Sequence, residues 1–223
     1  MEFRTKVELP IGECEIRHDS LIMSWGSCFA DNISRKLIEN KFSCDANPFG
    51  VLYNPLSVAQ SLQTLLHERY YTENDLQYAN GQWFSLMHHG SFSSADKDEC
   101  LNGINERIRL GAANLRKARI AIITWGTARV YEWSADGSIV GNCHKLPEKM
   151  FRRRLLEVDE IVEKYVSLIS EIRACNPDLH FLFTVSPIRH AKDGFHGNQL
   201  NKATLLIALH KICEQLPCCH YFP

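Results

Sequence analysis

The sequence predicts a doubly wound α/β domain, a parallel sheet with helices on both faces. Apolar strand-like runs alternate with helix-period segments, and the strands close on Gly, Ser or Pro. One run, "RIAIITWG" (119–126), is apolar without alternation, as expected of a strand buried on both faces. The chain has 223 residues, 45% hydrophobic and 23% charged, enough for a single sizeable core.

Taken in order, "SLIMSWG" (20–26) reads as a short buried strand ending at Gly26. "SCFADNISRKLIEN" (27–40) then reads as a helix. Ser27 is its cap, and Phe29, Ile33, Leu37 and Ile38 form its apolar face. "NPFGVLYNP" (47–55) has the chemistry of a loop, and Asn54-Pro55 opens a helix through "LSVAQSLQTLLHER". Residues 71–95 are irregular and aromatic. Ser94 or Asp96 caps a helix reaching about Ala118, and "ARVYEWSADGSIVGN" predicts a hairpin around Asp136-Gly137.

The spacing of Phe151, Leu155, Val158, Val162, Tyr165, Ile169 and Ile172 predicts one amphipathic helix over 150–174. Arg152, Arg153 and Arg154 would then be its solvated face rather than a phosphate track. Asn176-Pro177 ends it, and "LHFLFTVSP" (179–187) is a buried strand. A polar loop leads to a helix over 201–216, and "CCHYFP" (218–223) begins a last strand. There is no internal repeat, low-complexity stretch or linker. The expectation is one domain over 1–223 with an inserted aromatic and hairpin region.

A net charge of −1 gives no field to attract nucleic acid or a membrane surface. No run approaches the ~18 apolar residues of a membrane span, and "MEFRTKVELP" lacks the apolar core of a signal peptide. The nine cysteines show no CxxC pair, and Cys218 and Cys219 are adjacent. The expectation is a cytoplasmic protein with reduced thiols, most of them small buried hydrophobes.

In doubly wound sheets chemistry sits outside the carboxyl ends of the strands. Those ends are Gly26–Cys28, Gly126–Thr127 and Ser186–His190. Ser27 and Cys28 fall where a helix N-terminus lowers a thiol pKa and stabilises an oxyanion. Either one is a candidate nucleophile, and the competing reading has Ser27 capping the helix with Cys28 packed inside. Histidines His88, His89, His144, His190 and His196 are candidate bases. Asp193-x-x-His196 has a spacing in which a carboxylate can orient an imidazole. Cys28, His144, His190 and His196 are of zinc-ligand type, but no HxH or HExxH spacing joins them, and no metal is expected. GxGxxG and Walker patterns are absent, so no nucleotide cofactor is expected either.

The five residues "GSCFA" (26–30) resemble the signature of the GSCFA family, which belongs with the SGNH or GDSL-like hydrolases. "NPFGVLYNPLS" (47–57), "TWGTARVY" (124–131), "NCHK" (142–145), "SPIRH" (186–190) and "DGFHGNQLNKATLL" also resemble family blocks, in order, over most of the chain. The resemblance implies a three-layer α/β/α sandwich with a central parallel sheet of about five strands. It implies an acyl-ester hydrolase or acyltransferase without a cofactor, acting on a small-molecule or carbohydrate ester. The first SGNH block places its serine two residues after a glycine, which here is Cys28, with Ser27 as the fallback. The second block contributes Gly50, with oxyanion donors near it and Cys28. The third, Gly-x-Asn-Asp, resembles Gly126-Thr127-Ala128-Arg129, with Ala128 replacing the oxyanion asparagine and Asn142 or Asn54 as substitutes. Asp193-x-x-His196 matches the last block but follows the penultimate strand, so a further Asp-x-x-His-Pro segment is expected beyond Pro223. Two other readings stay open: a non-catalytic module that keeps the pocket, and a metal-dependent hydrolase.

Overall fold

The computed structural model describes residues 15–189 and 191–223. His190 therefore lies outside the described residues.

The unbroken apolar run becomes β5 (Ile120–Trp125), buried along its whole length. It lies at the centre of a five-stranded parallel sheet with β1 (Leu21–Trp25), β2 (Ser43–Ala46), β9 (His180–Val185) and β10 (Cys219–Tyr221). The spatial order is β2-β1-β5-β9-β10. The register pairs Ile22 of β1 and His180 of β9 with the two sides of Ile120. The helices are α1 (Cys28–Glu39), α2 (Pro55–Leu66), α3 (Lys97–Leu115), α4 (Val158–Cys175) and α5 (Gly194–Gln215).

Alternation along β5 builds two unequal layers. Ile120 and Ile122 join Ile22 in a small cluster with Leu37 of α1. Ala121, Ile123 and Trp125 face the other way, into a large core with Phe181, Phe183 and residues of α2 to α5. Each fully buried Ile, Leu or Phe there contributes roughly 1.5–3 kcal/mol. The indoles in this core are satisfied: Trp25 Nε1 donates to Ser61 Oγ at 3.1 Å and Trp125 Nε1 to Tyr165 Oη at 3.2 Å. The architecture is a three-layer α/β/α sandwich.

Several elements differ from the sequence expectation. On α1, Phe29 and Ile38 are exposed, and Ala30 and Ser34 are the buried residues. Small side chains let α1 lie close to β1, where Ser34 Oγ meets Ser24 Oγ at 2.6 Å. Residues 151–155 form a strand, β8 (Phe151–Leu155), and α4 begins only at Val158. β8 pairs antiparallel with β6 (Arg129–Trp133), which also pairs with β7 (Ile139–Val140) in the expected hairpin. Strand period 2 sends Arg152 and Arg154 to one face, where both bind Glu132, and Arg153 to the other. The last helix starts seven residues early, at Gly194. The aromatic insert holds an unforeseen hairpin, β3 (Gln77–Ala79) and β4 (Gln82–Phe84), turning on Asn80-Gly81 with φ of 52° and 78°. Among the described cysteines, Cys100, Cys218 and Cys219 are buried but Cys28 and Cys175 are exposed. Among the described residues, no helix is long and apolar enough to cross a membrane.

Candidate active site

The strand order reverses between β1 and β5, so the crevice expected of this topology opens at their carboxyl ends. Gly26 follows β1 with φ of +152°. A Cβ there would lie 2.9 Å from Thr124 Cβ and 3.1 Å from Ala30 Cβ, so only glycine lets the chain bend this close to β5 and α1. Gly26 N–H donates to Asn47 Oδ1 at 2.9 Å, and Asn47 Nδ2 donates to Asp31 Oδ1 at 2.5 Å. Asn47, with φ of 44°, is a site-forming residue that sequence reading missed.

Ser27 and Cys28 have different surroundings. Ser27 is buried and is the N-cap of α1, its Oγ accepting from Phe29 N–H at 3.5 Å. Cys28 is the first helical residue, and its side chain is exposed. Its N–H is one of the first-turn amides that lack an intrahelical acceptor. Burial, the Cys28 thiol and the Asp31 carboxylate together raise the pKa of the Tyr53 phenol, so Tyr53 lies within electrostatic reach of the turn.

The loop over 47–54 straps β1 to β5. Leu52 N–H donates to Gly26 O at 3.2 Å, and Gly126 and Thr127 N–H both donate to Tyr53 O at 2.8 and 3.1 Å. Gly50 has φ of +76°, and a Cβ there would lie 2.2 Å from His89 Cβ. Its N–H donates to Asn47 O at 2.7 Å. The expected oxyanion donor at Gly50 is therefore engaged inside the loop, and the glycine serves the turn and the close approach of His89.

Ala128 is fully buried, not in the crevice. Its N–H donates to Asn201 Oδ1, and Asn201 Nδ2 donates to Thr127 Oγ1 at 3.0 Å. Asn201, on α5 and fully buried, thus holds the turn after β5. Lys202 Nζ donates to Gly126 O at 2.6 Å, and burial lowers its pKa.

A cleft of about 410 Å³ opens here, walled on one side by β6 and β7. Asn54, His89, Thr127 and Asn142 line it, together with Tyr53 and Cys143. Four of the sequence candidates are thereby gathered in one place. Asn54 also caps α2, its Oδ1 accepting from Ser57 N–H at 2.8 Å. Asn142 Oδ1 accepts from His144 N–H at 2.9 Å. His89 Nδ1 accepts from Ser91 N–H at 3.2 Å. Burial pushes the Cys143 thiol up to about 11.

Two candidates have structural partners. His144 Nε2 lies 2.9 and 3.0 Å from Ser85 O and His88 O, so it carries the proton and clamps that turn. Asp193, its carboxylate almost fully buried, takes Arg153 Nη1 at 2.6 Å and Arg129 Nε at 3.2 Å on the same oxygen. His196 lies exposed on the first turn of α5, not in a loop. Among the described residues, no group of three or more metal-ligating side chains converges.

A strand, turn and helix N-terminus with an exposed thiol, and a polar cleft reached by the loop that straps β1 to β5, define a doubly wound α/β protein with a crevice at its switch point. A family model described as the GSCFA family matches residues 21–223, so the chain belongs to the GSCFA family. No curated protein and no solved structure matches it.

Proposed function

We propose that this protein is an SGNH-like acyl-ester hydrolase or acyltransferase with Cys28 as nucleophile, acting on a small-molecule or carbohydrate ester. The observation that carries this reading is the exposed Cys28 thiol at the first residue of α1, where β1 ends beside the switch point. The first-turn amides of α1 beside it have no intrahelical acceptor and face the place where an oxyanion would form. The buried Ser27 hydroxyl already accepts from the backbone, which leaves it the fallback nucleophile.

In the reaction a histidine takes the thiol proton and Cys28 Sγ attacks the acyl carbon. The tetrahedral oxyanion collapses, the C–O bond breaks, and the proton passes to the leaving alcohol. Water, or a second alcohol, then takes the acyl group from the thioester. His196 and the cleft-lining His89 are the described candidates for the base. The Cys28 N–H is the first oxyanion donor, and the side-chain amides of the cleft-lining Asn54 and Asn142 are further candidates.

A specific observation favours a second reading, a binding module without turnover. The N–H groups of Gly50, Gly126 and Thr127 all face internal carbonyls, and the asparagine of the third block is replaced by buried Ala128. One experiment separates the two. The protein is incubated with 4-nitrophenyl acetate, quenched with acid, and its peptides are mapped by mass spectrometry. Acyl transfer predicts an acetyl group on Cys28 that is lost in Cys28→Ala and kept in Ser27→Ala. Acetylation of scattered lysines alone would leave the binding module standing.

A further inference from the structure

The cleft lined by Tyr53, whose phenol interacts electrostatically with Cys28, has an uneven charge. Among the described residues, Arg129 and Arg153 line it, and no Asp or Glu does. The pairing of β6 with β8 brings them together, since Tyr131 opposes Arg153 two positions from Arg129. Both guanidiniums meet the same oxygen of Asp193, at 3.2 and 2.6 Å. That single carboxylate lies behind the cleft wall, and two cations held against one anion leave an excess positive charge.

Neighbouring ion pairs do not cancel it. On the opposite face of β8, Arg152 and Arg154 are matched by Glu132 and Glu160. Lys192 pairs with Glu148 at 3.2 Å. The whole chain carries a net charge of −1, so the positive sign is local to this cleft. Each guanidinium offers five donors in a planar fork suited to an oxyanion. The Arg153 guanidinium is further held over the Tyr131 ring, 5.7 Å from its centroid. Thr127 and Asn142 add neutral hydrogen-bonding groups to the same wall.

We propose that this cleft binds an oxyanion, a carboxylate or phosphate, through Arg129 and Arg153, so that the esters handled at Cys28 are negatively charged. The second clause rests on the acyl-transfer reading, whereas binding of the anion does not. The cleft volume suits a small metabolite-sized group.

The test uses the full chain carrying Cys28→Ala, which binds but cannot form an acyl adduct. Isothermal titration calorimetry at low salt measures succinate, inorganic phosphate and the neutral control succinamide. The expected result is saturable binding of at least one anion, weakened by added salt, with no binding of succinamide. Which anion binds separates carboxylate from phosphate recognition. Arg153→Gln is expected to weaken binding about tenfold or more, the effect of losing a charge-assisted pair. Asn142→Asp places a carboxylate in the cleft without touching the Asp193 ion pair, and is expected to weaken it comparably. It decides the matter if Arg153→Gln fails to fold. Absence of anion binding, equal binding of succinamide, or binding indifferent to Asn142→Asp would overturn the proposal. Anion binding alongside a failed Cys28 adduct would remove the acyl-transfer reading alone, and an adduct without anion binding would remove only the charged substrate.

Discussion

Gly26 and Gly50 show how the crevice is shaped one residue at a time. Each has a left-handed φ, and each has a neighbour where a Cβ would go. Gly50→Ala meets both penalties at once, so a loss of about 3 kcal/mol or more is expected in urea unfolding. A change within error would mean that the loop can shift away from His89 at little cost. The signature "GSCFA" was legible as a strand-to-helix turn because Gly and Ser are the local signals of such a bend. The division of labour between Ser27 and Cys28 was not. It depends on which of two adjacent side chains faces the helix amides and which faces solvent, and adjacent letters carry no such direction. Asn47 was missed for a related reason, since its partners Gly26 and Asp31 are distant in sequence.

At the scale of elements, the last helix supports the site through one buried side chain. Asn201→Ala leaves the Ala128 N–H without its acceptor inside the core. The expected cost is about 1–3 kcal/mol, read as a lower urea midpoint with an unchanged m-value. Weaker anion binding should accompany it, because Thr127 sits on the same turn; an unchanged midpoint would remove Asn201 from this role. The two elements misread from the sequence have clear causes. In β8, Phe151 and Leu155 fall four apart and continue the apolar spacing of α4, so a helical period covers a strand. The competing signal was the three arginines, which are hard to place on one strand until Glu132 and Asp193 are known to lie on opposite faces. In α5, Gly194 and Gly197 weaken the first turn, and only packing of the buried Asn198 and Asn201 shows where it begins. The Asn80-Gly81 pair is itself a hairpin signal, masked in the sequence by the irregular aromatic residues around it.

For the molecule as a whole, the alternation of strands and helices sufficed to predict the layered sheet, because β5 and its neighbours are buried by composition alone. The cleft was only half legible. Arg129 and Arg153 come from separate strands and meet through β6–β8 pairing, which no local pattern announces. Whole-molecule stability should also depend on pH in two stages. Burial holds the His88 imidazole down at about 3, so it stays neutral in the fold, while the unfolded chain protonates near 6.5. Between these values the unfolded state binds the extra proton, so stability is complete above about pH 6.5 and falls on acidification. At pH 5 the loss is about 2 kcal/mol. Burial lowers His144 and His180 with the same sign. Hydrogen bonds from Arg154, then Arg152, lower Glu132, whose contribution is present above the ordinary carboxylate range and lost as the pH falls through its depressed value. His88→Phe, which keeps a ring stacked on Phe49, should flatten the decline in urea stability between pH 7 and 5. An unchanged slope would place that titration elsewhere.

The loop over 47–54 has a consequence in the time domain. It is neither helix nor strand, yet its carbonyls and amides join β1 to β5: Leu52 to Gly26, and Gly126 and Thr127 to Tyr53. Freeing those amides to deuterated solvent requires lifting the loop off both strand ends and pulling the fully buried Phe49 and Leu52 out of the core. They should therefore exchange with the slowest protons of the molecule, on the clock of global unfolding rather than that of surface loops.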